Sequence, residues 1–244
     1  MQTFGAADPR QNQILAALPK EDYLLLASHI ETVHTGVNQQ LSIPGSRLPY
    51  VYFPLNSVLS LVISSTDGVA VEVAAVGNEG MLGLEAFLED EIASQHAFVQ
   101  VADSVSQIRV DDFKQVMAQS ISLRRLMHRY SLALFNQVTQ VIACHRLHSL
   151  QQRCARWLLT VSDQTRSEKF FLTQEFLAQM MGVRRASVNA IARELSNNGI
   201  ISYQRGRMTI LDRAALELMS CECYETIKDI HRRVFQTSNH SAAD

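Results

Sequence analysis

Neither proline nor glycine occurs between Gly83 and Gly182, whereas all five prolines lie by Pro54 and seven of the ten glycines by Gly83. Both residues interrupt regular helix, so this distribution predicts a turn-rich first third followed by a long helical middle. With 244 residues, 47% of them apolar, the chain can bury two cores; about 150 residues per domain is the usual scale. Strands first and helices after read as α+β.

In the first third, an opening helix over residues 11–34, interrupted at Pro19, leads into short apolar runs at 48–53, 58–64, 69–76 and 96–101. Pro54-Leu55-Asn56, Thr66-Asp67-Gly68 and Gly77-Asn78-Glu79-Gly80 separate them. Closely spaced strands with such turns predict an antiparallel β-barrel or jelly roll. From Asp111 the period changes. Leu123, Met127, Tyr130, Leu134, Val138 and Val141 recur at steps of four and three, the seam of an amphipathic helix reaching about His148. A helix of roughly 40 Å is too long for a small domain to cover alone, so these six residues are the expected interface of a homodimer. The plainer alternative is a core helix of one domain. A second helix over 150–162 and a polar connector over 163–169 follow. The expected domains are an effector-type domain at 14–118, a dimerisation helix at 119–148 and a C-terminal domain at 150–235.

The formal charge of −2 conceals two unlike halves. Residues 1–120 carry 5 basic and 14 acidic side chains, net −9, while residues 121–244 carry 17 and 10, net +7. A basic module joined to an acidic one suits an anionic partner, nucleic acid or membrane. No stretch approaches the ~20 apolar residues of a membrane helix, and the first 13 residues lack the apolar core of a signal peptide. No membrane partner and a reduced, cytoplasmic setting are therefore expected.

Residues 172–211 carry the most specific pattern. Thr173 can cap a helix with Phe176, Leu177, Met180 and Met181 as its apolar positions, Gly182 breaks it, and residues 184–197 form a second helix. There Val188, Ile191, Ala192 and Leu195 share one face, leaving Arg185, Asn189 and Arg193 outside. A guanidinium fork suits guanine edges and a carboxamide suits adenine, as expected of a helix-turn-helix reading a major groove. Runs at 200–203 and 208–211, joined by Gln204-Arg205-Gly206-Arg207, read as a hairpin whose arginines meet phosphates, the wing of a winged helix. A merely solvated helical hairpin would need neither the wing nor the basic half.

The segment LTQEFLAQMMGVRRASVNAIARELSNNGIISYQRGRMTILDR resembles the DNA-binding domain of the Crp/Fnr family of bacterial transcription regulators. The runs VYFPLNSVLSLV, VEVAAVGNEGMLGLEAFL and RLHSLQQRCARWLL resemble that family's cyclic-nucleotide-binding-like barrel, phosphate cassette and hinge, so the resemblance covers nearly the whole chain. It implies a homodimeric transcription regulator that binds a palindromic double-stranded DNA operator and works with RNA polymerase, and no enzyme. It also implies an effector pocket lined by Gly80, Met81, Leu82, Gly83, Gln95 and His96, with Tyr130 reaching in from the long helix. The implied DNA contacts are Thr173, Gln174, Arg184, Arg185, Ser187, Asn189, Arg193, Arg205 and Arg207.

The chain departs from the family at telling positions. Nucleotide-binding members place a Gly-Glu-Leu-Gly run and an Arg-Ser pair around the cyclic phosphate; here these read Gly80-Met81-Leu82-Gly83 and Gln95-His96. A neutral Gln cannot replace a bidentate Arg–phosphate contact, so cyclic AMP is not the expected ligand. Regulation without any effector is the alternative. Members that read TGTGA-type half-sites carry Arg-Glu-x-x-x-Arg, of which only Arg185 survives beside Ala186 and Ala190, so a different half-site is expected.

No cysteine precedes Cys144, so the family's N-terminal iron–sulfur cluster is not expected. Cys144, His145 and His148 cluster near the end of the long helix and offer a haem, metal or thiol sensor as an alternative. Ordinary polar positions are the plainer account, and no metal site is assigned. Cys221 and Cys223, two apart on one helix predicted over 213–235, should point apart and pack inertly. The first 120 residues hold only His29, His34 and His96, with no HxH pair of a cupin-type metalloenzyme, and no nucleophile-plus-base or phosphate-loop motif appears.

Overall fold

The structure, a computed structural model, describes residues 7–66 and 70–236. Most of the expected Thr66-Asp67-Gly68 turn, and Val69, lie outside the described residues, as does much of the N-terminal segment. After a 3-10 turn at Pro9–Gln11 come α1 (Gln13–Ala16), α2 (Lys20–Ala27), β1 (Glu31–His34), β2 (Gln40–Ser42), β3 (Tyr50–Pro54), β4 (Val58–Ser64) and β5 (Ala70–Val76). Next are α3 (Leu84–Phe87), β6 (His96–Val101), β7 (Ser104–Arg109), α4 (Val110–Gln119), α5 (Ile121–Leu147) and α6 (Leu150–Thr165). The C-terminal part comprises β8 (Lys169–Phe171), α7 (Gln174–Met181), α8 (Arg185–Asn197), β9 (Ile201–Gln204), β10 (Arg207–Ile210), α9 (Arg213–Met219) and α10 (Cys223–Phe235).

The N-terminal strands form two antiparallel sheets, β1-β7-β3 and β2-β6-β4-β5. Leu41, Tyr52, Leu59, Val76, Ala97, Val99 and Val105, drawn from both sheets, make one buried cluster. This is a jelly-roll-like sandwich rather than a closed barrel, which corrects the barrel half of the expectation. The opening helix is corrected too: helix ends at Ala27, and Glu31–His34 pairs with β7. Its β-branched Thr32 and Val33 fit the pleat better than a helix.

A helix break at Ser120, whose hydroxyl accepts the amide of Leu123 (3.0 Å), separates α4 from the 27-residue α5. Much of the expected dimer seam is already covered within the chain. Leu123, Met127 and Tyr130 are fully buried against Phe53, Phe113, Ile108 and Val234 of their own chain, and Val141 is also buried. Leu123, Met127 and Tyr130 thus owe their period to packing on the sandwich and α10 of their own chain, while Leu134 and Val138 are half-buried. The solvent face of α5 instead carries Leu132, Phe135 and Ile142, each more than 60% exposed.

The C-terminal domain docks on the sandwich. Trp157 of α6 packs in one cluster with Val58, Val62 and Ala75 of the strands and with the α7–α8 core. The indole Nε1–H donates to Glu72 (2.9 Å), which also accepts from Ser60 (2.7 Å). Burial pushes the Glu72 carboxyl up, against smaller lowering by Ser60, Trp157 and Arg156. Asn78 donates to the carbonyl of Gln164, and Gln164 donates to Glu79 (2.8 Å). The predicted 213–235 helix is two helices, broken at residues 220–222, so Cys221 lies between helices and Cys223 opens α10.

Candidate nucleic-acid interface

Local chemistry sets the geometry of α7 and α8. The Thr173 hydroxyl accepts the amide of Phe176 (3.1 Å), capping α7. Gly182 ends it in the left-handed region (φ 64°), with its own amide on Gln179 O and that of Val183 on Ala178 O, both 3.0 Å. That pair of bonds is a Schellman motif, which satisfies the last carbonyls of α7 and turns the chain tightly into α8. Val188, Ala192 and Leu195 bury one face of α8 in a core that includes Leu177, Ala178, Met180 and Met181 of α7.

The opposite face is left to solvent. Arg184, Arg185, Ser187 and Arg193 are exposed, as the sequence predicts, and Arg184 is the N-cap residue rather than the first helical one. Arg185 has Glu175 at 3.9 Å, a loose and exposed pair of little energetic weight. Asn189 is half-buried, and its Oδ1 accepts from Gln174 Nε2 (3.3 Å), so the two carboxamides form one unit. The Gln174 backbone N–H donates to the Tyr203 hydroxyl (3.1 Å).

The wing is the hairpin β9–β10, extended by β8 into a three-stranded sheet in the order β8-β10-β9. Arg205 and Gly206 both have positive φ (50° and 81°), the signature of the two-residue turn that matches strand twist. Arg207 therefore begins β10 rather than belonging to the loop. Glycine suits position 206, because φ is positive there and a Cβ would stand 2.6 Å from the Phe171 ring, which would have to shift. Arg205 and Arg207 are exposed. Between α7, α8 and the wing runs a groove of about 380 Å³ lined by Phe171, Thr173, Gln174, Glu175, Arg185, Tyr203, Arg205 and Gly206. It gathers four of the predicted contacts, Thr173, Gln174, Arg185 and Arg205. Phe171 of β8 and Tyr203 of β9 also line the groove, and the sequence reading did not single them out.

The expected effector site is not assembled in that way. Met81 and Tyr130 are buried in one packed cluster, with the Tyr130 hydroxyl donating to the Met81 carbonyl (2.8 Å) and standing where a Cβ on Gly80 would fall. Leu82 is buried in the sandwich core, and Gly83 (φ 97°) starts α3. His96 turns to β2, with its Nδ1 3.3 Å from Gln40 Nε2, and the Gln95 backbone carbonyl accepts from the Ser42 hydroxyl (2.9 Å). His145 likewise faces Arg153 (3.5 Å), and burial together with Arg153 and Arg156 pushes it down to about 4. Burial pushes Cys154 up to about 12. No described helix is long and apolar enough to cross a membrane.

Residues 152–219 match the Crp-like helix-turn-helix domain family. No curated protein matches the sequence. Among solved structures, the chain is similar to a CRP-family transcriptional regulator from Thermus thermophilus (TM-score 0.65, 20% identity, 77% of this chain and 96% of that one). It is also similar to FixK2 from Bradyrhizobium japonicum (0.66, 13%, 79% and 98%). A third similar structure is the c-di-GMP responsive global regulator CLP from Xanthomonas campestris (0.61, 12%, 79% and 99%).

Proposed function

We propose that this chain, a Crp/Fnr-type regulator in fold with a Crp-like helix-turn-helix domain, is a sequence-specific transcription regulator that binds a palindromic operator as a homodimer. The observation that carries the reading is the groove between α7, α8 and the wing, which joins a base-reading arginine, Arg185, to a phosphate-binding one, Arg205. In this reading Arg184, Arg185, Ser187 and the Gln174–Asn189 pair reach base edges, while Arg193, Arg205, Arg207 and the capped start of α7 at Thr173 hold the backbone. Two copies meet through the exposed Leu132, Phe135 and Ile142 of α5, and their two-fold axis imposes the symmetry of the operator. RNA polymerase is the further partner, and the cytoplasm is the setting.

Control by cyclic AMP does not fit this chain. Met81 offers no carboxylate to a ribose, Gln95 offers no guanidinium to a phosphate, and the space beside Gly80 is occupied by Tyr130. That filled interior favours a second reading, in which DNA binding needs no ligand at the family position. Calorimetry with cyclic AMP should give no binding heat; micromolar affinity would reject the statement.

The test of the main reading is selection of duplexes from a random pool by the full chain. A two-fold symmetric site with a half-site other than TGTGA is expected, and Arg185→Ala should relax one base position per half-site at a cost of about 1–3 kcal/mol. Failure to enrich any sequence would reject the reading, and recovery of TGTGA would reject the expected half-site.

A further inference from the structure

At the C-terminal end of α5, Cys144 and His148 stand one helical turn apart on the same side. The break between α9 and α10 brings Cys221 and Cys223 to them. The four donor atoms lie within 4.8 Å of one another. Cys144 Sγ is 3.6 Å from Cys221 Sγ, and Cys223 Sγ is 3.6 Å from His148 Nδ1. A tetrahedral zinc ion with bonds of ~2.3 Å to sulfur and ~2.0–2.1 Å to nitrogen sets donor–donor edges of roughly 3.5–3.8 Å. Two opposite edges of the cluster already have that length.

The surroundings suit a metal as well. The three cysteines are buried in a small cluster of their own, apart from the three larger cores. His148 Nε2 lies 3.1 Å from Glu222 Oε1, a partner that holds the proton on Nε2 and leaves the Nδ1 lone pair facing Cys223. Gln140 Nε2 donates to Cys223 Sγ (3.1 Å), a bond that a metal-bound sulfur can still accept. Arg156 is buried, its Nε has no hydrogen-bond partner among the described residues, and its positive charge acts on Cys144, so it would offset the single net negative charge of a divalent ion with three thiolates. Donors converging on one point suit a single ion, whereas a haem needs axial ligands on opposite faces of a plane.

We propose that Cys144, His148, Cys221 and Cys223 form a closed Cys3His site for a zinc-type divalent ion, tying the end of the long helix to the start of α10. Four protein ligands leave no open position, so the role is structural. The ion sits where α5 gives way to α6 at His148 and Ser149, the joint that sets the direction of the C-terminal domain. Binding replaces thiol protons, which pass to solvent, and no oxidant is consumed.

The test uses the untagged full chain, stripped of metal and titrated under anaerobic, reducing conditions with Zn²⁺ and with Co²⁺ as an optical probe. One equivalent per chain is expected, with a Kd below about 1 µM. Bound Co²⁺ should show a thiolate charge-transfer band and intense tetrahedral d–d bands. Cys223→Ser and His148→Gln should each weaken binding by about 100-fold or more, whereas Cys154→Ala should not. If a variant fails to fold, the cobalt spectrum of the unaltered chain decides alone. Weak octahedral bands, binding well below one equivalent, or affinity unchanged in Cys223→Ser would overturn the site. So would a chain that holds a Cys144–Cys221 disulfide in place of metal.

Discussion

At the tip of the wing two arginines are exposed to solvent, Arg205 in the turn and in the left-handed region and Arg207 at the start of β10, and this arrangement sets a measurable ionic response. Each phosphate neutralised on B-form DNA contributes about 0.9 to the slope of log affinity against log salt. Removing Arg205 and Arg207 from both readers of a dimer should therefore lower the slope by about 3.6. Between about 50 and 200 mM salt, the unaltered protein should lose about 150-fold more affinity than the variant. Arg205 has φ 50°, so the suitable replacement is Asn, which tolerates that backbone, paired with Arg207→Ala. Fluorescence anisotropy against a selected operator and a random duplex, across a salt series, reads the effect. Equal slope changes on both duplexes are expected, because phosphates carry no sequence. A slope within about 0.5 of the original, or a loss confined to the operator, would refute the assignment of the wing to the backbone.

Gly206→Ala should destabilise the C-terminal domain by about 2–4 kcal/mol in urea unfolding, combining left-handed strain with overpacking on Phe171. Adding Phe171→Ala should restore the steric part, and no restoration would contradict the contact. Leu132→Glu with Phe135→Glu should give a folded monomer in sedimentation with weaker operator binding, since both side chains are solvent-facing; persistent dimers would place the interface elsewhere. Glu72 has a raised pKa through burial, so its neutral form favours the folded state. Stability is full below the ordinary carboxylate value of 4.5 and falls as pH rises from there toward the raised folded value. Glu72→Gln keeps the acceptor for Trp157 and should flatten that part of the pH profile, as followed by urea midpoints; an unchanged profile would sink the attribution.

The reader was legible because its signals are local. Thr173 and Gly182 cap a helix through their own neighbours, and the alternation of 201–204 with 207–210 around Arg205-Gly206 is a hairpin signature of few residues. The strands 58–64 and 96–101 fell on the predicted limits for the same reason. What depends on distant partners was not legible. Leu123, Met127 and Tyr130 of the α5 seam have the right period but pack with Phe53 and Val234 of their own chain, because periodicity names a buried face and not what buries it. Cys221 and Cys223 point apart only on an unbroken helix, and the break at 220–222 joins them to residues about 75 positions away. Glu72 and Trp157, 85 residues apart, carry no shared pattern at all.

The docking of Trp157 on the sandwich bears on how the chain can be divided. A fragment cut at the natural-looking joint near Ser149 would keep the helix-turn-helix and the wing but lose Val58, Val62 and Ala75, the strand residues that cover its core, and the acceptor of its one indole. The reader is thus not a detachable cartridge: part of its wall belongs to the other domain. Any rearrangement that swung it to a new position would first have to uncover that wall, and the apolar surface joining the two domains sets the cost of doing so.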